Sequence, residues 1–341
     1  MKRLIAHLIA AFATATAATA ITPGEIDVKL ALCTRLAGQP GIDACSEVIA
    51  ANFSSKSLET AYTQRAMKFQ TMGKLEEAVS DYSQSLAIDP YQLEATVNRG
   101  KILVALHRSA EAVVDLKHSL AMFPHWAAAN MILSQAYRDL HDSENALAAV
   151  DRAVQLEPGN AAYVGARGIL HLDRNEVQEA LQDLTRSLEL RPNVVQMLMA
   201  RGAAYSGLGQ SANALKDLDE ALSMEPTNPG ALNARCWVRA SLKQEFDLAL
   251  ADCNAAIATT PHAAMYDTRA FLHLQFGHYA AAIADYDQAL RIQDRYAPSL
   301  FGRGVAKIRS GDTAGGNSDI GAARVIDPTI EKELAAAGLT L

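Results

Sequence analysis

The chain of 341 residues is 50% hydrophobic, 20% charged and 6% aromatic, and its 31 Lys and Arg against 38 Asp and Glu give a formal net charge of −7. An apolar half excludes disorder over most of the length. The acidic balance excludes a surface that neutralises phosphates along its whole extent, so no nucleic-acid partner is expected.

Residues 1–20 read MKRLIAHLIAAFATATAATA. Lys2 and Arg3 make a basic start, Leu4 to Phe12 a short apolar run, and Ala18-Thr19-Ala20 closes a stretch of small residues. That order predicts a secretory signal peptide cleaved after Ala20, and loss of Lys2 and Arg3 would bring the charge to −9. The run is too short to span a bilayer, and no later stretch is apolar for long enough, so no membrane span is expected in the mature chain. The expectation is an exported, periplasmic protein.

Four cysteines suit export. Cys33 and Cys45 lie 12 apart and Cys236 and Cys253 lie 17 apart, and four cysteines permit three pairings. Pairing neighbours keeps each bridge within one hairpin and would stabilise by about 3 kcal/mol in the chain-entropy picture. No CxxC or HxxxH spacing points to zinc instead, and no metal is expected.

Residues 21–58 hold a degenerate version of the unit that follows. The stretch 25–58 carries Ala44, Val48 and Ala51 at the unit's small and core positions, and Pro40-Gly41 is expected to shorten its helices. From residue 59 the prolines keep time. Pro90, Pro124, Pro158, Pro192 and Pro226 are 34 apart, Pro261 follows after 35, and Pro328 falls on the same lattice. Residues 59–330 therefore hold eight units of 34 residues, the period of a helix–turn–helix solenoid.

Within the units, position 8 (Ala66, Gly100, Ser134, Gly168, Gly202, Cys236, Ala270, Gly304) is always small. Position 20 is Ala or Gly throughout, with a one-residue insertion near Glu245, and position 27 is Ala or Ser. Small side chains at fixed places on two helices let them approach closely. Tyr82, Leu116, Leu184 and Tyr286 at position 24 fill the remaining core. Position 15 is Gly73, Asn175, Gly209, Gly277 or Gly311 in five units, residues that accept the left-handed end of a helix. Pro at position 32 stops the second helix.

These columns resemble the tetratricopeptide repeat family, in its exported bacterial form. The resemblance implies an all-α, right-handed α-solenoid of about eight 34-residue repeats, with a degenerate N-terminal repeat and a capping helix at residues 331–341. Two departures stand out. No Trp occupies position 4, and position 7 is Arg65, Arg99, Arg167, Arg201, Arg235, Arg269 and Arg303, with Leu133 the exception. Position 23 is Asp81, Asp115, Asp183, Asp217, Asp252, Asp285 and Asp319, with Ala149 in the repeat of Leu133. Joint loss of both charges in one repeat predicts an Arg–Asp pair inside each hairpin, because burying one member alone is costly.

No motif for phosphate binding, metalloprotease or serine-hydrolase chemistry occurs, and the histidines fall at unrelated positions, so no catalysis and no cofactor are expected. The resemblance places partner binding on the concave face, around positions 5, 9 and 12 of the first helices. Met131, Ile169, Met199, Trp237, Phe271, Leu274 and Phe301 form an apolar stripe there. Trp237, Phe271 and Phe301 in consecutive repeats would anchor a protein or peptide partner. The alternative for the stripe is packing between repeats. The family's basic clamp for carboxylates is not carried over, since only Asn98 and Lys101 resemble it. A glycan or small ligand is the second reading, to be told by polar groups gathering with aromatics in one pocket.

Overall fold

The computed structural model describes residues 22–336 and 338–340; the expected signal peptide lies outside the described residues. Those residues form nineteen helices, and no strand occurs among them. The chain divides into two compact units, meeting in sequence between Asp142 and Ser143. That point is the turn of the third repeat, the one carrying Leu133 and Ala149.

The first unit runs α1 (Pro23–Arg35), α2 (Gly38–Ala51), α3 (Ser55–Thr71), α4 (Leu75–Ile88), α5 (Leu93–Ala105), α6 (Ser109–Met122) and α7 (Ala127–Asp139). Thr22 caps α1: its hydroxyl accepts from Glu25 N at 3.4 Å while Glu25 Oε2 accepts from Thr22 N at 2.8 Å, satisfying two otherwise orphaned donors. Pro40 does not shorten the helices. It sits in the first turn of α2, where a missing N–H costs nothing, and α1 and α2 have 13 and 14 residues like the helices of later repeats. Cys33 and Cys45 are bonded and fully buried between them.

The second unit runs α8 (Ser143–Leu156), α9 (Ala161–Asp173), α10 (Val177–Leu190), α11 (Val195–Gly207), α12 (Ser211–Met224), α13 (Pro229–Leu242), α14 (Phe246–Thr259), α15 (Ala263–Gln275), α16 (Tyr279–Ile292), α17 (Ala297–Arg309), α18 (Thr313–Ile326) and α19 (Ile330–Ala336). Within it each first helix packs on its own second helix, and the first helices α9, α11, α13, α15 and α17 pack on one another in sequence. The final helix continues that row by packing on α17.

Turns show why the period holds. All eight position-15 residues have positive φ: Gly73, Gly209, Gly277 and Gly311, but also Asn175 at 59°, His107 at 57°, His141 at 59° and Lys243 at 54°. Three repeats thus hold a non-glycine, non-asparagine residue in the left-handed region, because the fold overrides local preference. The insertion in the sixth repeat adds a second left-handed residue, Glu245 at 52°.

Helix contact is closest where the sequence is smallest. A Cβ on Gly304 would stand 2.8 Å from Gly316 O and 3.2 Å from Ile320 N, which leaves only glycine room between α17 and α18. Tyr82, Leu116, Leu184 and Tyr286 are all buried in the hairpin cores. Cys236 and Cys253 are bonded between α13 and α14.

Candidate functional site

Inside the hairpins, arginines of the first helices grip aspartates of the second. Arg65 Nε donates to Asp81 Oδ2 at 2.7 Å and its Nη2 to Oδ1 at 2.8 Å. The same fork recurs for Arg167 with Asp183 at 2.6 and 2.8 Å and for Arg201 with Asp217 at 2.7 and 2.8 Å. It recurs again for Arg235 with Asp252, Arg269 with Asp285 and Arg303 with Asp319, each at 2.7 and 2.8 Å. Arg99 reaches Asp115 at 2.8 Å through Nε. The hydrogen bonds to Asp217 raise the Arg201 pKa above its ordinary value, against burial. At Asp319 burial pushes the other way, yet hydrogen bonds from Arg303 and Lys307 prevail and lower its pKa.

One feature of the arginines escapes the pairing argument. The free Nη1 of the fork crosses to the preceding repeat: Arg99 to Ser83 at 2.9 Å, Arg167 to Asp151 at 3.1 Å, Arg235 to Asp219, Arg269 to Asn254 and Arg303 to Asp287 at 2.7 Å. Each of these five guanidinium groups therefore ties two repeats together, using the planar spread of donors that lysine lacks. A signal existed in the sequence, since position 25 holds Ser, Asp or Asn in those preceding repeats.

Against this frame the predicted stripe separates. Met131 on α7 is half-buried in the first unit. Ile169 and Met199 are half-buried and pack on the apolar cluster of α9 to α13 that contains Leu198 and Leu232. Phe271, Leu274 and Phe301 are corrected here: they are 1%, 1% and 0% exposed and so are not free anchors. They share a core cluster with Ile330, Leu334 and Leu339 of the C-terminal segment. That segment is fastened by Gln275 Nε2 donating to Gly338 O at 3.4 Å and Arg309 Nη2 to Thr340 O at 2.7 Å. The extra room that aromatics need is supplied by the chain's own end.

Trp237 alone of the three aromatics stays half-buried. Its ring stacks on Phe271, with centroids 4.4 Å apart, and it lines a cavity of about 770 Å³. Ser206 on α11, Asn233, Trp237 and Ser241 on α13, Asp267 and Thr268 on α15, Tyr296 and Pro298 at the start of α17, and Leu334 contribute to its wall. Asn228 fixes the start of α13 by accepting from Ala231 N at 3.0 Å, with Pro229 at the first helical position. Asn233 and Trp237 then lie one turn apart on one face.

Asn233 and Asp267 occupy position 5 of consecutive repeats, where most repeats carry apolar or small residues. The Asn233 side-chain oxygen is buried with no hydrogen-bond partner. Asp267 is 8% exposed, and burial pushes its carboxyl up to about 7, against the hydrogen bond that Ser299 Oγ donates to its Oδ1 at 2.5 Å. Burial, with the nearby Asp267 charge, pushes Tyr296 up to about 12. Sequence reasoning passed over these residues, although their polarity in an otherwise apolar column was the available sign. Among the described residues no cluster of His, Cys, Asp and Glu could hold a metal ion, and no helix is long and apolar enough to cross a membrane.

A row of antiparallel helical hairpins, first helix packed on second, defines a helical-repeat protein. Two tetratricopeptide repeat models match residues 59–92, 97–161, 133–195, 166–229 and 263–296, together more than half of the chain. The chain belongs to the tetratricopeptide repeat family. Its fold is similar to the Cut9–Hcn1 hetero-tetramer of APC/C, with a TM-score of 0.62 and 15% identity over 88% of this chain. This chain spans only 59% of that one. A tetratricopeptide repeat protein from Parabacteroides merdae matches with a TM-score of 0.58 and 16% identity, covering 78% of this chain and 98% of its own. PilW, a type IV pilus biogenesis factor, matches with a TM-score of 0.53 and 18% identity, over 61% and 98% of the two chains. No curated protein matches the sequence significantly. Family and fold point to a protein-interaction scaffold rather than an enzyme.

Proposed function

We propose that this protein is an exported scaffold or adaptor of bacterial type, working in the periplasm, that holds a segment of a protein or peptide partner against the first helices of its second unit. No covalent step is involved. The cavity whose wall runs across α11, α13, α15 and the start of α17 carries this reading. Trp237 supplies a large, rigid apolar surface there, the kind of anchor that dominates binding energy. Capture of partners by the purified chain tests it: Trp237→Ala should lose partners that the wild type retains, and unchanged capture would remove the site.

Export rests on the basic, apolar and small-residue order of residues 1–20 and is supported by the bonded cysteine pairs. Cell fractionation with N-terminal sequencing should find the chain in the periplasm, starting at Ile21. A cytoplasmic chain beginning at Met1 would reject it.

One observation favours the second reading, a glycan or other small ligand. Asn233, Asp267 and Tyr296 gather with Trp237 around a single cavity, as polar groups and an aromatic do in ligand sites. Saturable binding of a neutral oligosaccharide, lost in Trp237→Ala, would select it.

A further inference from the structure

The cavity holds a buried acid without a counter-charge. Every other buried aspartate of the second unit's repeat lattice, from Asp183 to Asp319, faces an arginine on its own hairpin. Asp267 faces Ser299, and no lysine or arginine stands among the described residues lining the cavity. A carboxylate taken out of water without a cation is strongly disfavoured. One repeat later the same position holds an apolar residue, Phe301. What the position offers is an acceptor beside an aromatic face, with the unpartnered oxygen of Asn233 on the same wall. Acceptors and a π-face together are the complement of a cation.

We propose that Asp267, beside Asn233 and Trp237, receives a basic side chain, ammonium or guanidinium, carried by the bound segment of the partner. This rests on the partner-binding reading above and names the chemistry of its central contact. Burial works against ionising Asp267, and the arriving cation supplies the missing counter-charge. The titratable groups facing it, Tyr286 from α16 and Tyr296 before α17, are held above their ordinary range by burial and stay neutral, so neither competes for that cation as a second charge. An excess of acidic over basic residues in the chain favours the same partner sign.

The test uses the purified chain, immobilised, and four pools of heptapeptides with blocked ends, randomised flanks and a central lysine, arginine, norleucine or acetyl-lysine. Retention of the lysine or arginine pool should exceed that of both neutral pools about tenfold or more, the range of a charge-assisted hydrogen bond in a dry site. Whichever basic pool leads identifies the group. Asp267→Asn should erase the preference, bringing the lysine and arginine pools down to the retention of the two neutral pools on the same variant, with a thermal melt verifying its fold. Should that variant fail to fold, the lysine against acetyl-lysine comparison on the wild type decides alone. Equal retention of all pools, or a preference that survives Asp267→Asn, overturns the cation site and leaves the partner groove standing. Retention of none overturns both, and displacement of every pool by a neutral chito-oligosaccharide overturns the peptide cation in favour of the glycan reading.

Discussion

The interior of each hairpin and the outward face of its first helix are made by the same residues' neighbours, yet they behave oppositely. Inside, the Arg–Asp fork recurs with donor–acceptor distances of 2.6 to 2.8 Å from Arg65 to Arg303. On the outward face the same lattice positions diverge: position 9 is half-buried Trp237 in one repeat and buried Phe271 in the next. The interior answers to its own hairpin and to the equivalent residues of the repeat before it, so a repeated sequence gives a repeated structure. The face answers to whatever lies beyond it, and near the C-terminus that is Leu334 and Leu339.

The comparison breaks first if the forks are dispensable. Arg201→Ala should destabilise by about 3–5 kcal/mol, since Asp217 is left with 3% of its side chain exposed and no partner. The double variant Arg201→Ala with Asp217→Ala should cost less than the sum of the singles in urea unfolding. Additive losses below about 1 kcal/mol would reduce the forks to surface pairs.

Phe301 and Trp237 sharpen the second half. Phe301→Ala should cost about 3–5 kcal/mol as a core cavity, whereas half-buried Trp237→Ala should cost under about 2 kcal/mol and act on partner capture instead. Equal stability losses would mean that the two faces do not differ.

Asp267 gives a smaller effect with a sign. Its folded pKa of about 7 lies above the ordinary carboxylate value of 3.8, so the native state holds the proton more tightly and the stabilisation is complete below the unfolded pKa. It is lost as pH rises through about 7. Between pH 5 and 8 the wild type should lose about 2 kcal/mol relative to Asp267→Asn in parallel denaturant titrations. A difference that does not vary with pH would show the carboxyl to be solvated.

The smallest effect concerns the turns. His141→Gly should raise stability by up to about 1 kcal/mol by relieving a left-handed histidine; a loss would show that the His141 side chain contributes a contact the turn needs.

How much was legible follows the same division. Prolines 34 apart, the small columns and the paired Arg and Asp columns made the hairpins readable, because each constraint repeats and each concerns neighbours inside one unit. His107, His141 and Lys243 were not readable as left-handed, since only the neighbouring repeats force them there. Phe271, Leu274 and Phe301 were misread as open because their cover lies up to several helices later in the chain. Asn233 and Asp267 were present in the column but carried no period, and a single polar exception gains meaning only once a cavity surrounds it.

The most direct test is site-specific photo-crosslinking in cells, with a photoreactive residue placed at Ser206 or Ser241 on the cavity wall, or at Val114 or Val325, which are 68% and 82% exposed on second helices. The account predicts partner adducts from the two cavity positions and none from the two valines. Adducts from Val114 or Val325 alone would place the partner elsewhere and contradict it.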